Sequence, residues 1–158
     1  MAKILIVYFS EGGNTEKMAK LVREGVNKEG IEGVVKKVQE VNVEELLDFE
    51  GIIVGSPTYY GTMGSEIKRL FDESVKFHGR LEGKVGAAFT TSANIGGGNE
   101  TCILSILEAM LIHGMIIQGS SQGAHYGAVA ISSPDAQAKK QCEDLGRRCA
   151  QLVKKLFK

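Results

Sequence analysis

The chain predicts one doubly wound α/β domain of 158 residues, a parallel sheet with helices on both faces. Three observations lead there. Short apolar segments at residues 4–9, 34–38, 52–54, 85–89 and 115–117 alternate with segments of helical period. Four of these five are nearly unbroken runs, the pattern of strands covered on both faces. Much of the chain's complement of 20 glycines falls after the first, third and fourth segments, where such a sheet presents its ligand-binding loops.

The elements follow in order. After the first strand, Met18, Leu21, Val22, Gly25 and Val26 keep the spacing of one helix face, with Glu16, Lys20 and Glu24 on the other side. The second strand carries Lys36 and Lys37 and reads as a sheet edge. Ile67, Leu70 and Phe71 mark a helix after Ser65, and residues 102–110 a third whose wide apolar surface implies deeper burial. The last helix is expected to begin with Ser133 as N-cap, Pro134 at its first position and Asp135 in its first turn. Its core stripe reads Ala138, Cys142, Leu145, Cys149, Leu152 and Leu156, and its closing lysines suit the helix dipole. Right-handed crossovers between five strands give the order 2-1-3-4-5, with the switch point between strands 1 and 3.

Composition removes several classes of function. Nineteen acidic and nineteen basic side chains leave no net field toward nucleic acid or an anionic membrane. The opening residues have too short an apolar run for a signal peptide, and no stretch approaches the ~20 apolar residues of a membrane span. Cys102, Cys142 and Cys149 form no Cys-x-x-Cys pair and no metal spacing, which suits a reducing cytoplasm. Cys142 and Cys149, seven residues apart on one helix face, read as small buried hydrophobes. No repeat or linker divides residues 1–158, which are read as a single domain.

The first glycine-rich loop is Ser10, Glu11, Gly12, Gly13, Asn14 and Thr15, directly after a strand and opening a helix. Its hydroxyls, glycines and helix N-terminal N–H groups suit a phosphate without any lysine. The same residues also make an ordinary capped strand-to-helix turn, so this loop alone leaves both readings open. It is neither a Walker A loop nor a Gly-x-Gly-x-x-Gly fingerprint. Ser10 and Ser56 stand where a phosphorylation receiver would carry acids.

The second loop holds Pro57, Thr58, Tyr59, Tyr60 and Gly61, two flat rings in a glycine-rich turn that can flank a flat heterocycle. The third holds Thr91, Ser92, Ala93, Asn94, Ile95, Gly96 and Gly97, whose backbone can approach a ring edge closely. It is longer than chain reversal requires.

Together these loops lie in a sequence that resembles, over nearly its whole length, the flavodoxin-like NAD(P)H:quinone oxidoreductases of the WrbA family. The likeness is carried by the opening MAKILIVY, GSPT at 55–58, IKRLFD at 67–72, GGGNE at 96–100, HGM at 113–115 and YGA at 126–128. It implies a flavodoxin-like three-layer sandwich holding FMN, with residues 10–15 at the phosphate and residues 57–61 and 91–97 around the ribityl chain and ring. It further implies His113 near the ring as the catalytic residue, against the alternative of a helix-end histidine bonding its own terminal carbonyls. Donors near Gly61 and Asn94 are candidates for tuning the flavin. The chain departs from the pattern in Gly12, where ordinary flavodoxins have a hydroxyl, in the neutral Tyr59, and in having no tryptophan. Phe77 and His78 stand as candidates for a substrate wall, and Lys68, Arg69, Lys76 and Arg80 are expected near the flavin.

The activity implied is two-electron reduction of a quinone by NAD(P)H, in a homo-oligomer, dimer or tetramer. Separately, the loop composition gives an apolar patch of Tyr59, Tyr60 and Phe77 compatible with a dimer. The alternative keeps the same FMN site and carries electrons between redox proteins. A third is a binding module whose flavin state governs association with a partner.

Overall fold

A computed structural model describes residues 1–158. The strands are β1 (Lys3–Tyr8), β2 (Glu32–Lys37), β3 (Gly51–Pro57), β4 (Val85–Ser92), β5 (Ile116–Ile117) and β6 (Ala128–Ile131). The helices are α1 (Asn14–Lys28), α2 (Ser65–Glu73), α3 (Asn99–Ile112) and α4 (Ala136–Leu156). All pairings are parallel, in the order β2-β1-β3-β4-β5, as the sequence predicts. No helix is long and apolar enough to cross a membrane.

The fifth strand position is filled by two short pieces. β5 pairs with Val85 and Gly86 at the start of β4, and β6 pairs with Phe89–Ser92 at its end. Between them residues 118–127, rich in Gly, Ser and Gln, leave the sheet because they offer little apolar surface to bury. Gly127 lets the chain return: a Cβ there would stand 2.1 Å from the Ala88 carbonyl oxygen.

Side chains of β1 alternate between two cores. Ile4, Ile6 and Tyr8 pack with Met18, Val22, Cys142, Leu145 and Cys149 under α1 and α4. Leu5 and Val7 pack with Ile67, Leu70, Ile103, Ile106 and Met110 under α2 and α3. β2 is the edge, with no fully buried residue. All three cysteines are free and buried, and burial pushes Cys142 and Cys149 up to about 12.

Two details of α4 depart from expectation. Asp135, not Ser133, is the N-cap, its Oδ1 accepting from Ala138 N at 2.8 Å, so the helix starts after Pro134 rather than on it. The buried stripe runs through Ala138, Cys142, Leu145, Cys149, Ala150 and Val153, whereas Leu152 is only partly buried and Leu156 is 46% exposed. A strict seven-residue repeat drifts by about 20° per heptad on a straight helix, which carries Leu156 off the core face.

Candidate functional site

The loops after β1, β3 and β4 meet in one polar cleft of ≈ 280 Å³ at the carboxyl end of the sheet. Its walls are Ser10, Glu11, Gly12, Asn14 and Thr15 from the first loop and Pro57, Thr58 and Tyr59 from the second. Thr91, Ser92 and Ala93 come from the third, and Ser132 from the end of β6. Glu11 is the one charged side chain among them, and no cationic side chain lines the cleft.

The first loop is closed by Gly13 N–H donating to Ser10 Oγ at 3.0 Å. Gly13, at φ 91°, is the N-cap of α1 and brings no side-chain cap. The leading amides of the helix are therefore left without a side-chain acceptor at the cleft. Thr15, almost wholly buried, joins this loop to the third through a 3.0 Å contact between its hydroxyl and that of Thr91.

The second loop is a tight turn in which Tyr59 and Thr62 exchange two backbone hydrogen bonds of 3.0 Å. Tyr60 and Gly61 form its corner with positive φ, 50° and 77°, as a two-residue primed turn demands. The third loop braces it. A Cβ on Gly98 would stand 2.6 Å from Gly61 Cα, and Thr101 Oγ1 donates to the Gly61 carbonyl at 2.6 Å. Thr58 N–H donates to the Thr91 carbonyl at 2.8 Å, fixing the cleft wall to β4. Burial, and then the neighbouring Glu11 carboxylate, raise the Tyr59 phenol above its ordinary pKa.

Of the residues singled out from sequence, eleven line the cleft and Gly13 shapes it through its backbone. Tyr60, Gly61, Asn94, Ile95, Gly96 and Gly97 lie outside that lining, with the Tyr60 and Ile95 side chains almost wholly exposed. Ser132 escaped the sequence reading. Its signal, a polar residue ending a strand, becomes visible only once β6 is recognised as the upper half of the fifth strand.

His113 corrects the largest expectation. It caps the far end of α3, next to the turn of residues 81–84 that precedes β4, where Gly83 N–H donates to the Gly114 carbonyl. That is the end of the molecule where strands begin, opposite the cleft. His113 Nε2 lies 2.7 Å from Ser74 Oγ, whose own proton goes to the Phe71 carbonyl at 2.7 Å, so the imidazole donates from Nε2. Phe77, His78, Lys76 and Arg80 also follow α2 to that end, so they form no substrate wall or charged rim for the cleft, and Phe77 shares no patch with Tyr59 and Tyr60. Lys68 and Arg69 lie along α2, outside the cleft lining, where they pair with Asp72 and Glu73.

Burial, and then the charge of His78, hold His113 below the usual histidine pKa. An unfolded chain takes up this proton near pH 6.5 and the folded one only at lower pH, so stability falls as pH drops below about 6.5. His113→Gln should remove that part of the slope. Urea midpoints of both chains at pH 7.5 and 5.5 check this, and identical pH slopes would refute it.

The flavodoxin family profile matches residues 6–109. A flavodoxin of Aquifex aeolicus is 39% identical over 97% of this chain and 88% of that protein. An NAD(P)H dehydrogenase (quinone) of Archaeoglobus fulgidus is 35% identical over 99% of this chain and 100% of that protein. Among solved structures, a flavodoxin from the domain Archaea superposes with a TM-score of 0.81 at 29% identity, covering 96% of this chain and 99% of that one. The flavodoxin, WrbA-like protein from Agrobacterium tumefaciens reaches 0.85 at 24% identity, covering 99% of each, a likeness of fold.

Proposed function

The chain belongs to the flavodoxin family, and we propose that it holds FMN in the cleft above β1, β3 and β4 and carries electrons between redox proteins. The observation that carries the FMN reading is the uncapped start of α1. Its amides are left for a ligand, and the helix dipole puts partial positive charge where no cationic side chain stands. A phosphate fits that chemistry. Ser10, Asn14 and Thr15 would complete its shell, and Gly12 would let backbone approach it, since no atom lies within 4 Å of a Cβ built there. Thr58, Tyr59, Ser92 and Ala93 would hold the ribityl chain and one edge of the ring. Bound there, FMN supplies reversible one- and two-electron chemistry. The protein's part is to orient the ring and to leave one edge open.

The carrier reading draws on the mouth of the cleft. Tyr60 and Ile95 present exposed apolar side chains there, a surface suited to a docked protein. The histidine and aromatic candidates for a quinone wall, Phe77, His78 and His113, lie at the opposite end of the sheet, where the strands begin. The second reading, reduction of a quinone by NAD(P)H, is supported by similarity to the Archaeoglobus fulgidus enzyme over nearly the whole chain. In that reading the chain assembles as a dimer or tetramer.

Anaerobic stopped-flow mixing of the FMN-loaded chain with NADH or NADPH, followed by a benzoquinone pulse, separates the two. The carrier reading expects no rapid bleaching by either nucleotide. Fast bleaching and reoxidation establish the enzyme and name its donor. Failure to take up FMN overturns both.

A further inference from the structure

We propose that Thr58 meets its ligand only as a hydrogen-bond acceptor, and that the buried hydroxyl of Thr90 is the positioning group that fixes this polarity. The inference rests on the FMN reading of the cleft and deepens it. It specifies that the ligand group facing Thr58 is an N–H or O–H donor.

Thr90 is wholly buried in β4, in register with Ser56 of β3 and directly before the cleft residue Thr91. Its Oγ1 lies 2.6 Å from the Ser56 carbonyl oxygen and 2.8 Å from Thr58 Oγ1. A carbonyl has no proton to give, so two oxygens 2.6 Å apart require the Thr90 proton between them. A hydroxyl has one proton. With that proton committed to Ser56, the contact with Thr58 is a hydrogen bond only if Thr58 donates.

Cys102 does not reverse the order. Its Sγ lies 3.4 Å from Thr90 Oγ1 and 3.8 Å from the Pro57 carbonyl oxygen, so the thiol proton has an acceptor of its own. Burial raises the thiol pKa and keeps that proton in place. The Thr58 backbone N–H is also committed, to the Thr91 carbonyl. What the Thr58 hydroxyl has left for the cleft is lone pairs.

A ligand carbonyl or phosphate oxygen placed against that hydroxyl would meet no proton, and would lose solvation without replacement. A ligand imide or hydroxyl would be accepted. Strand register holds Ser56 and Thr90 together, so this polarity is built in before any ligand arrives and needs no reorganisation on binding. The other hydroxyl pair of the cleft behaves differently. Thr15 and Thr91 stand 3.0 Å apart with either able to donate, so that pair can adapt to its ligand.

A double-mutant cycle on FMN dissociation constants, read by flavin fluorescence, tests the inference. Thr90→Val and Thr58→Val should each weaken FMN about tenfold, and Thr90→Ser should stay within about threefold of the parent chain. The double variant should be no weaker than the weaker single one, because Thr90 acts through Thr58. Additive losses, or a Thr90→Val chain that binds like the parent, overturn it. In the unsubstituted chain, the Thr58 hydroxyl proton should exchange slowly enough to give an NMR resonance in contact with the Thr90 side chain. A Thr58 hydroxyl in fast exchange with water overturns the assignment whether or not any variant folds. A parent chain that binds no FMN defeats the FMN reading alone, and the hydroxyl resonance still decides the polarity.

Discussion

Replacing Gly146 with alanine is expected to lower stability by about 2–3 kcal/mol and the melting temperature by roughly 5–10 °C. In an exposed helix the same change would gain up to about 1 kcal/mol. Here a Cβ would stand 2.1 Å from the Val22 carbonyl oxygen and 2.9 Å from Val26 N. The contact is reciprocal, since a Cβ on Gly25 of α1 would stand 2.1 Å from the Glu143 carbonyl oxygen of α4. Both obstacles are backbone of a neighbouring helix, and no rotamer change relieves them. The helices would have to separate, loosening Met18, Val22, Cys142, Leu145 and Cys149 against the sheet. Gly12→Ala is the control, because nothing lies within 4 Å of its added Cβ, and it should change stability by less than about 0.5 kcal/mol. Urea and thermal unfolding of the three chains decide the matter. A Gly146→Ala chain more stable than the parent would mean that α1 and α4 do not meet backbone to backbone.

Neither glycine contact is legible in the sequence, although the face that carries it is. The spacing of Met18, Val22 and Val26 finds the buried side of α1, and unbroken apolar runs find β1, β3 and β4, because burial on both faces leaves little choice of residue. β6 hides for the opposite reason. Four residues following a polar loop are too few for a period, and what holds them is pairing with the far half of β4. The error at the start of α4 is of similar kind, since Ser133 and Asp135 are both competent caps and only the path of the chain out of β6 chooses between them.

The cleft was legible because topology and loop chemistry point to one place. His113 was not, because a periodic pattern reports which side of a helix is buried and not which end meets the ligand. A crossover helix returns the chain to the start of the next strand. The fourteen residues of α3 therefore carry its C-cap roughly 20 Å from the cleft where the helix begins. That distance follows from the β-α-β order alone.

Asn14→Asp should weaken FMN by about a hundredfold, leave riboflavin binding unchanged, and leave the ligand-free chain as stable as before or slightly more so. The three outcomes share one cause. Asn14 is the first residue of α1 and lines the cleft, so an added carboxylate sits at the positive end of the helix dipole. Without ligand this is worth about 0.3–1 kcal/mol in favour of the fold. With FMN the same charge faces the phosphate. Unit charges of like sign about 4 Å apart repel by up to about 4 kcal/mol in a partly screened site, enough for the hundredfold loss after partial relaxation. Riboflavin has no phosphate, so its affinity separates repulsion from damage to the ring site. Glu11 does not make the test redundant. Its carboxylate lies beside the Tyr59 phenol, whose pKa it helps to raise, and so faces the second loop. Equal losses for FMN and riboflavin would show that Asn14 shapes the cleft rather than meeting the phosphate, and the phosphate would then have to be sought away from α1.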